Sequence, residues 1–167
     1  MLQNYTSANT SVNSTKVPAV FTKMHWVLGP VNLDFGGGKY DTATKYLENF
    51  AKKNLIYDPY NRSDEHNMRV VLGLEAYGGA DSCTISNVLN VIDSKDGRIA
   101  ALMGAWAMMK PGAYCYITVY EGDRSRLGRQ TKRDCWQNNR PIKDYLKEVK
   151  DVFQWAACRN GVIIAQK

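Results

Sequence analysis

Val31–Phe50 reads VNLDFGGGKYDTATKYLENF. It opens as a short apolar strand carrying Asp34 near its end, and runs straight into Gly36-Gly37-Gly38. From Asp41 the period changes. Ala43, Tyr46, Leu47, Phe50 and Ala51 recur at the spacing of one helix face. Strand, glycine turn and helix follow one another without a linker. Glycine lets a chain turn sharply and lets backbone approach a ligand without a Cβ in the way. In open α/β sheets ligands bind at the carboxyl ends of the strands. The stretch therefore predicts both an architecture and the place of its site.

The rest of the chain repeats the alternation. NLIYD at 54–58 reads as a second strand, ended by Pro59. Ser63 before Asp64 and Glu65 is an N-cap signal for a helix running to about Ala76, where Gly78-Gly79 stops it. A third strand begins near Ala80 in ADSCTISNVLNVI. The next helix places Ile99, Leu102, Met103 and Trp106 on one face and stops at Lys110-Pro111-Gly112. AYCYITVY at 113–120 is a fourth strand, and a long polar, basic connection follows from Glu121 to Arg140. Pro141 opens a last helix with Ile142, Tyr145, Leu146 and Val149 as its stripe. VFQWAAC and GVIIAQ flank Arg159-Asn160-Gly161, a strong hairpin signal. Residues 17–30 form a short helix or arm. The expected fold is α/β: a three-layer Rossmann-like sheet, mostly parallel, with a C-terminal antiparallel hairpin. One domain covers 17–167, behind a polar tail at 1–16.

Composition narrows the class. The chain has 167 residues, 44% hydrophobic and 23% charged, as in a globular domain with its own core. No apolar run approaches the ~20 residues of a membrane span. The N-terminus lacks the apolar core of a secretory signal. Cys83, Cys115, Cys135 and Cys158 form no CxxC pair, which argues against zinc or thioredoxin chemistry and for a reducing, cytoplasmic setting. His25 and His66 are the only histidines, and no cluster supports a metal. The net charge of +6 favours a polyanionic partner.

Asp58 closes the second strand about 20 residues beyond the glycine turn, where an acidic group is placed to accept from ribose hydroxyls. The ligand is expected to carry a nucleoside. A dinucleotide fingerprint, G-x-G-x-x-G, fails here: counted from Gly36, its last glycine would be Asp41. A nicotinamide oxidoreductase is therefore disfavoured.

LDFGGGKY, IYDPY, ADSCTISNVLNVI, MMKPGAYCYITVY and the terminal hairpin, in that order, resemble the motifs of class I S-adenosylmethionine (SAM)-dependent methyltransferases. The resemblance spans about Val31 to Gln166. DPYNRS, SNVLNVI, VYEGD and WQNNR add a narrower likeness to small phage- or prophage-encoded methyltransferase-like proteins, which implies a host cytoplasm. The resemblance implies SAM as cofactor, held by Asp34, Gly36, Gly37, Gly38 and Asp58. In two respects the chain departs from the family. Lys39-Tyr40 stand near the usual third glycine, and only one helix fits between Asp58 and Asp81, where the family has a further strand that often contacts adenine. Adenine is then expected between Pro59-Tyr60 and the segment around Ser86, Asn87 and Val88.

Methyl transfer from a sulfonium needs mainly in-line positioning, in keeping with the lack of an obvious His/Asp/Cys set. Tyr120, Glu121 and Asp123 are candidates for a base by position alone. The basic connection carries Arg124, Arg126, Arg129, Lys132 and Arg133, followed by Trp136, Asn138 and Asn139. Because it leaves a strand end beside the expected cofactor, it is a candidate substrate surface. Cations there suit phosphates, and the tryptophan and amides suit bases of DNA or RNA. The competing reading is a binding protein, scaffold or inhibitor that keeps the cofactor fold without transfer. A protein partner or a homodimer would then supply recognition.

Overall fold

The computed structural model describes residues 3–9 and 16–167; the rest of the polar tail lies outside the described residues. Among the described residues, eight strands and five α-helices follow in chain order. They are α1 (Ala19–Met24), β1 (Val31–Phe35), α2 (Thr42–Glu48), β2 (Lys53–Tyr57), α3 (Asp64–Ala76), β3 (Ala80–Ser86) and α4 (Lys95–Ala107). After them come β4 (Met109–Thr118), β5 (Gly128–Lys132), β6 (Cys135–Asn138), α5 (Leu146–Lys150), β7 (Trp155–Arg159) and β8 (Val162–Gln166). The main sheet runs β2-β1-β3-β4-β8-β7. Its first four strands are parallel. β8 and β7 close it as an antiparallel hairpin. The tight turn at Asn160-Gly161 has the positive φ at both positions that such hairpins require (50° and 74°).

Strand alternation sends side chains to opposite faces, and each face carries helices. Val31, Leu33 and Phe35 of β1 and Cys115 and Ile117 of β4 pack with α3, α4 and α5 residues such as Val70, Leu102 and Val149. Across the sheet, Tyr116 packs with Val20 and Phe21 of α1 and with Ala43 and Leu47 of α2. Part of this second face is polar. Asn32 donates to Asn54 (2.8 Å) and to Thr84 (3.0 Å), and accepts from Ser82 (2.8 Å). This buried ladder joins β2, β1 and β3 side by side.

Only α3 lies between Asp58 and Asp81, so β2 is an edge strand. Its outward backbone groups would face nothing without a further strand. Side chains of α3 meet them instead. His66 Nε2 sits 2.8 Å from the Ile56 carbonyl. The Asn67 side chain accepts from the Asp58 amide (3.0 Å) and donates to its carbonyl (2.9 Å). The α3 N-cap is Ser63, which accepts from the His66 amide.

Three elements depart from the expectation. α4 turns Arg98, Leu102 and Ala105 inward and leaves Met103 and Trp106 exposed, with Ile99 half-buried. The cause is a buried ion pair: Arg98 Nε meets Glu148 of α5 at 2.7 Å, so a charged residue occupies a core position. β4 begins at Met109, so Lys110-Pro111-Gly112 lies inside the strand rather than before it. The connection from Glu121 to Arg140 folds as an antiparallel ribbon, β5 paired with β6. β5 is exposed throughout, so it offers no apolar alternation to read. On the ribbon's other strand Cys135, Gln137 and Asn138 are buried.

Candidate functional site

At the carboxyl ends of β1, β2 and β3 the chain leaves a two-part cleft. The larger compartment, about 330 Å³, has an apolar floor of Phe35, Val88, Ile92 and Met108 and a polar rim at Asp58, Tyr60, Asn61 and Asn87. That volume sits at the lower end of the range for small-molecule sites. The smaller one, about 120 Å³, is lined by Lys16, Asp34, Gly36–Gly38, Lys39, Tyr40, Thr42, Ser86 and Asn87. Gly36 and Asn87 belong to both compartments.

The glycine turn is packed from beneath and open above. Gly36 and Gly38 have φ of 76° and 75°, a region that side chains rarely adopt. A Cβ on Gly37 would stand 2.4 Å from Asp34 Oδ2, and one on Gly36 the same distance from Val88 Cγ2. A Cβ on Gly38 would meet nothing within 4 Å. The turn is stitched to the loop after β2. Gly36 N donates to Tyr57 O (2.7 Å), Gly38 N to Asp58 Oδ2 (2.9 Å), and Arg62 Nε to Gly38 O (2.7 Å). Arg62 also pairs with Asp41 at 2.8 Å.

Asp58 is 4% exposed, and its carboxylate is heavily engaged. Oδ1 accepts from the Tyr60 and Asn61 amides, both at 2.9 Å. Oδ2 accepts from Gly38 N and from Asn61 Nδ2 at 3.2 Å. Asp34 lies under the turn, and burial pushes its carboxyl up to about 7, against the pull of hydrogen bonds from Thr84 and Asn54. Burial also raises the Tyr60 hydroxyl, helped by the negative charges of Asp134 and Asp58. Asn87 holds a left-handed φ of 58°, with its amide donating to Thr118 O (2.9 Å). Ser86 accepts from Thr118 Oγ1 at 3.3 Å.

The structure thus brings together Asp34, Gly36, Gly37, Gly38, Asp58, Pro59, Tyr60, Ser86, Asn87 and Val88 around one cleft. The other candidates lie apart from it. Tyr120 is 63% exposed, and its carbonyl accepts from Gln137. Glu121 pairs with Arg124 (2.5 Å) and accepts from the Ile142 amide (2.7 Å). Asp123 is exposed, and hydrogen bonds from the Ser125 side chain and then from its amide lower the Asp123 carboxyl. Arg126 pairs with Asp144 at 2.7 Å. Arg129, Lys132 and Arg133 are exposed on the ribbon and its turn. Trp136 stacks on Tyr5, with centroids 5.3 Å apart. Asn138 is buried, donating to Ile92 O (2.7 Å), and Asn139 is buried against Gly122. Among the described residues, no three His, Cys, Asp or Glu group so as to hold a metal.

Sequence reading missed three contributors. Arg62 was hidden in a loop whose partner is the glycine turn. Gly97, Ala100, Ala101 and Gly104 give α4 a small-residue face on the larger compartment, and their helical spacing is a signal that was there to find. Gln3, Thr6 and Ser7 also line that compartment, from a segment with no local pattern.

No family model matches the chain, and no curated protein matches it by sequence. Solved structures do match. The 1,6-didemethyltoxoflavin-N1-methyltransferase of Burkholderia thailandensis, solved with 1,6-didemethyltoxoflavin and S-adenosylhomocysteine, superposes with a TM-score of 0.62 at 15% identity, over 86% of this chain and 73% of that one. PigF with S-adenosylhomocysteine gives 0.55 at 13%, over 83% and 50%. The T. thermophilus 16S rRNA N2 G1207 methyltransferase, in complex with AdoMet and guanosine, gives 0.53 at 16%, over 93% and 44%. The chain spans half or less of these last two proteins. It has the fold of class I SAM-dependent methyltransferases, as its motifs imply.

Proposed function

We propose that the cleft binds SAM and that the protein is a methyltransferase. One observation carries this reading: a nucleoside-sized compartment and a small polar one share Gly36 and Asn87 at the carboxyl ends of β1, β2 and β3. In this reading the nucleoside takes the larger compartment, between Pro59-Tyr60 and Asn87-Val88. The amino-acid tail takes the smaller one, over Gly36–Gly38, with Lys16 and Lys39 for its carboxylate and Asp34 for its ammonium. When bound, SAM would supply an activated methyl group for an acceptor's lone pair, with a neutral thioether as the leaving group. The protein's own part is placement, through a cleft fixed by the Arg62, Asp58 and Asn87 contacts. The free thiols of the four cysteines suit a reducing cytoplasm.

The acceptor we favour is nucleic acid, met by Arg124, Arg129, Lys132 and Arg133 on the ribbon side. A second reading, SAM binding without transfer, has its own observation. Asp58 is already satisfied by three backbone amides and Asn61, and Tyr120, Glu121 and Asp123 do not line the cleft. Calorimetry with SAM and S-adenosylhomocysteine tests the binding. Tritiated-methyl transfer to DNA, RNA, protein and small-molecule panels separates the two readings. Absence of binding to either ligand would defeat both.

A further inference from the structure

The larger compartment has a wall that does not come from the sheet or its helices. Gln3, Thr6 and Ser7 line it beside Tyr60 and Val91. These residues belong to an extended strap fastened to the domain from outside the cavity. Asn4 donates to Asp93 through its amide (3.1 Å) and its side chain (2.6 Å). Thr6 N donates to Asp134 Oδ1 at 3.0 Å, and the Thr6 hydroxyl to Oδ2. Ser7 N donates to Asp134 O (2.8 Å), and its hydroxyl bridges Val91 O (2.8 Å) and Trp136 N (3.1 Å). Tyr5 stacks on Trp136, and neither ring lines the compartment. Ser7 is 6% exposed in a segment that composition alone would leave in solvent.

We infer that Gln3–Ser7 form the closing wall of the nucleoside compartment, and that Asp134 and Trp136 of the ribbon are positioning residues that hold this wall in place. The inference rests on the nucleoside reading of the cleft given above. Its physical content is the other lining. Phe35, Val88, Ile92, Ala101 and Met108 offer a base only apolar contact, the Asp58 carboxylate is taken up by backbone amides and Asn61, and Tyr60 and Asn87 form the rim beside the strap. Without the strap the compartment would lie open to water along one side. With it, a base is enclosed on a side the six-stranded sheet does not reach. Two of the anchors, Asp134 and Trp136, sit on the ribbon, so one connected set of hydrogen bonds links the ribbon to the compartment wall.

The test uses the full chain with S-adenosylhomocysteine and 5′-methylthioadenosine, which share the nucleoside and differ in the tail. Asp134→Ala and Tyr5→Ala alter residues outside the cavity lining. If either leaves the strap closed only about a tenth of the time, affinity for both ligands falls about tenfold. Asp134→Asn keeps an acceptor for Thr6 and should restore most of it. Amide exchange adds a readout that a general loss of stability would not give: ligand should protect the Thr6 and Ser7 amides in the native chain and not in Asp134→Ala. Tyr5→Ala, on the strap itself, decides the matter if the ribbon variant does not fold. If the native chain binds both ligands and the variants bind them equally well, the strap inference falls and the SAM reading stands. Tighter binding by a chain lacking residues 1–9 would make the strap a plug and overturn the inference too. If the native chain binds neither ligand, both fall.

Discussion

Two stretches stand out in this sequence, the glycine turn with its partner loop at Asp58 and the basic run from Glu121 to Arg140, and the fold treats them in opposite ways. The turn is constrained from every side but the cleft. Asp34 and Ile56 lie beneath it, Val88 beside it, and Arg62 and Asp58 clip its backbone. The basic run is a two-stranded ribbon with one strand wholly exposed, held down by buried amides and by the strap. A site that must hold a small ligand in one pose needs rigid support. A surface that meets a large partner through charge needs only to present cations, and exposed cations contribute little to folding.

The largest expected effect breaks the first region. Asp58→Ala removes the acceptor for Gly38 N, Tyr60 N and Asn61 N at once. Buried donors left unpaired cost about 1–3 kcal/mol each, less where water enters, so a total loss of about 3–4 kcal/mol is expected. Denaturant unfolding measures it; a loss below about 1 kcal/mol would mean that the carboxylate is free to serve a ligand. Gly37→Ala comes next. Its Cβ would press on Asp34 Oδ2 at 2.4 Å and on Ile56 Cγ2 at 3.0 Å, and overpacking of this kind costs about 1–3 kcal/mol. Thermal melting of that variant against Gly38→Ala separates crowding from backbone strain, since the added methyl at Gly38 is unobstructed.

Asp34 sharpens the same contrast through pH. Its folded carboxyl titrates at about 7 against an ordinary value of 3.8, chiefly because of burial. The folded state therefore holds its proton over a range where the unfolded chain has released it. Stability from this group is fullest below about pH 4, declines as pH rises, and is gone above about pH 7. Asn at this position keeps the shape and does not titrate. Asp34→Asn should raise stability at pH 8, with the shift from 3.8 to about 7 setting an upper bound of about 4 kcal/mol that rearranged hydrogen bonds reduce, and with the gain shrinking toward pH 4. Urea midpoints at pH 4, 6 and 8 check it, and a gain independent of pH would show that Asp34 is ionised in the fold throughout.

How much of this was legible follows from where each signal lies. The sheet was readable because its strands are apolar and its turns carry Gly, Pro and Asn at positions that demand them. The absent strand was readable by length, since Asp58 to Asp81 has room for α3 alone. The inward face of α4 was not, because Arg98 is buried by Glu148, some 50 residues away. The ribbon was not, because β5 has no buried face and β6 buries Gln137 and Asn138, whose amides read as surface. The strap was least legible: Asn4, Thr6 and Ser7 look like tail composition until Asp93, Asp134 and Val91 are seen beside them. The cleft's backbone half was thus visible in local pattern. The half made by long-range polar contacts was not.

The smallest expected effect on stability tests the second region. Arg129 and Lys132 lie on the exposed strand β5, and Arg129 lies near the carboxylate of Asp123. Replacing both with Ser removes charge from a surface where screening is strong, and stability should stay within about 0.5 kcal/mol. Affinity for S-adenosylhomocysteine should stay close to native as well, because neither side chain lines the cleft and Asp134 still holds the strap. Any polyanion binding should change instead. If the ribbon meets nucleic acid, the log–log slope of affinity against salt should become shallower by roughly 0.7–0.9 for each phosphate that the variant no longer neutralises. Fluorescence anisotropy with labelled single- and double-stranded oligonucleotides across a salt series gives that slope. An unchanged slope in the double variant would move the polyanion surface off β5. A native chain with no salt-dependent binding would remove nucleic acid from consideration and leave anchorage of the strap as the ribbon's role.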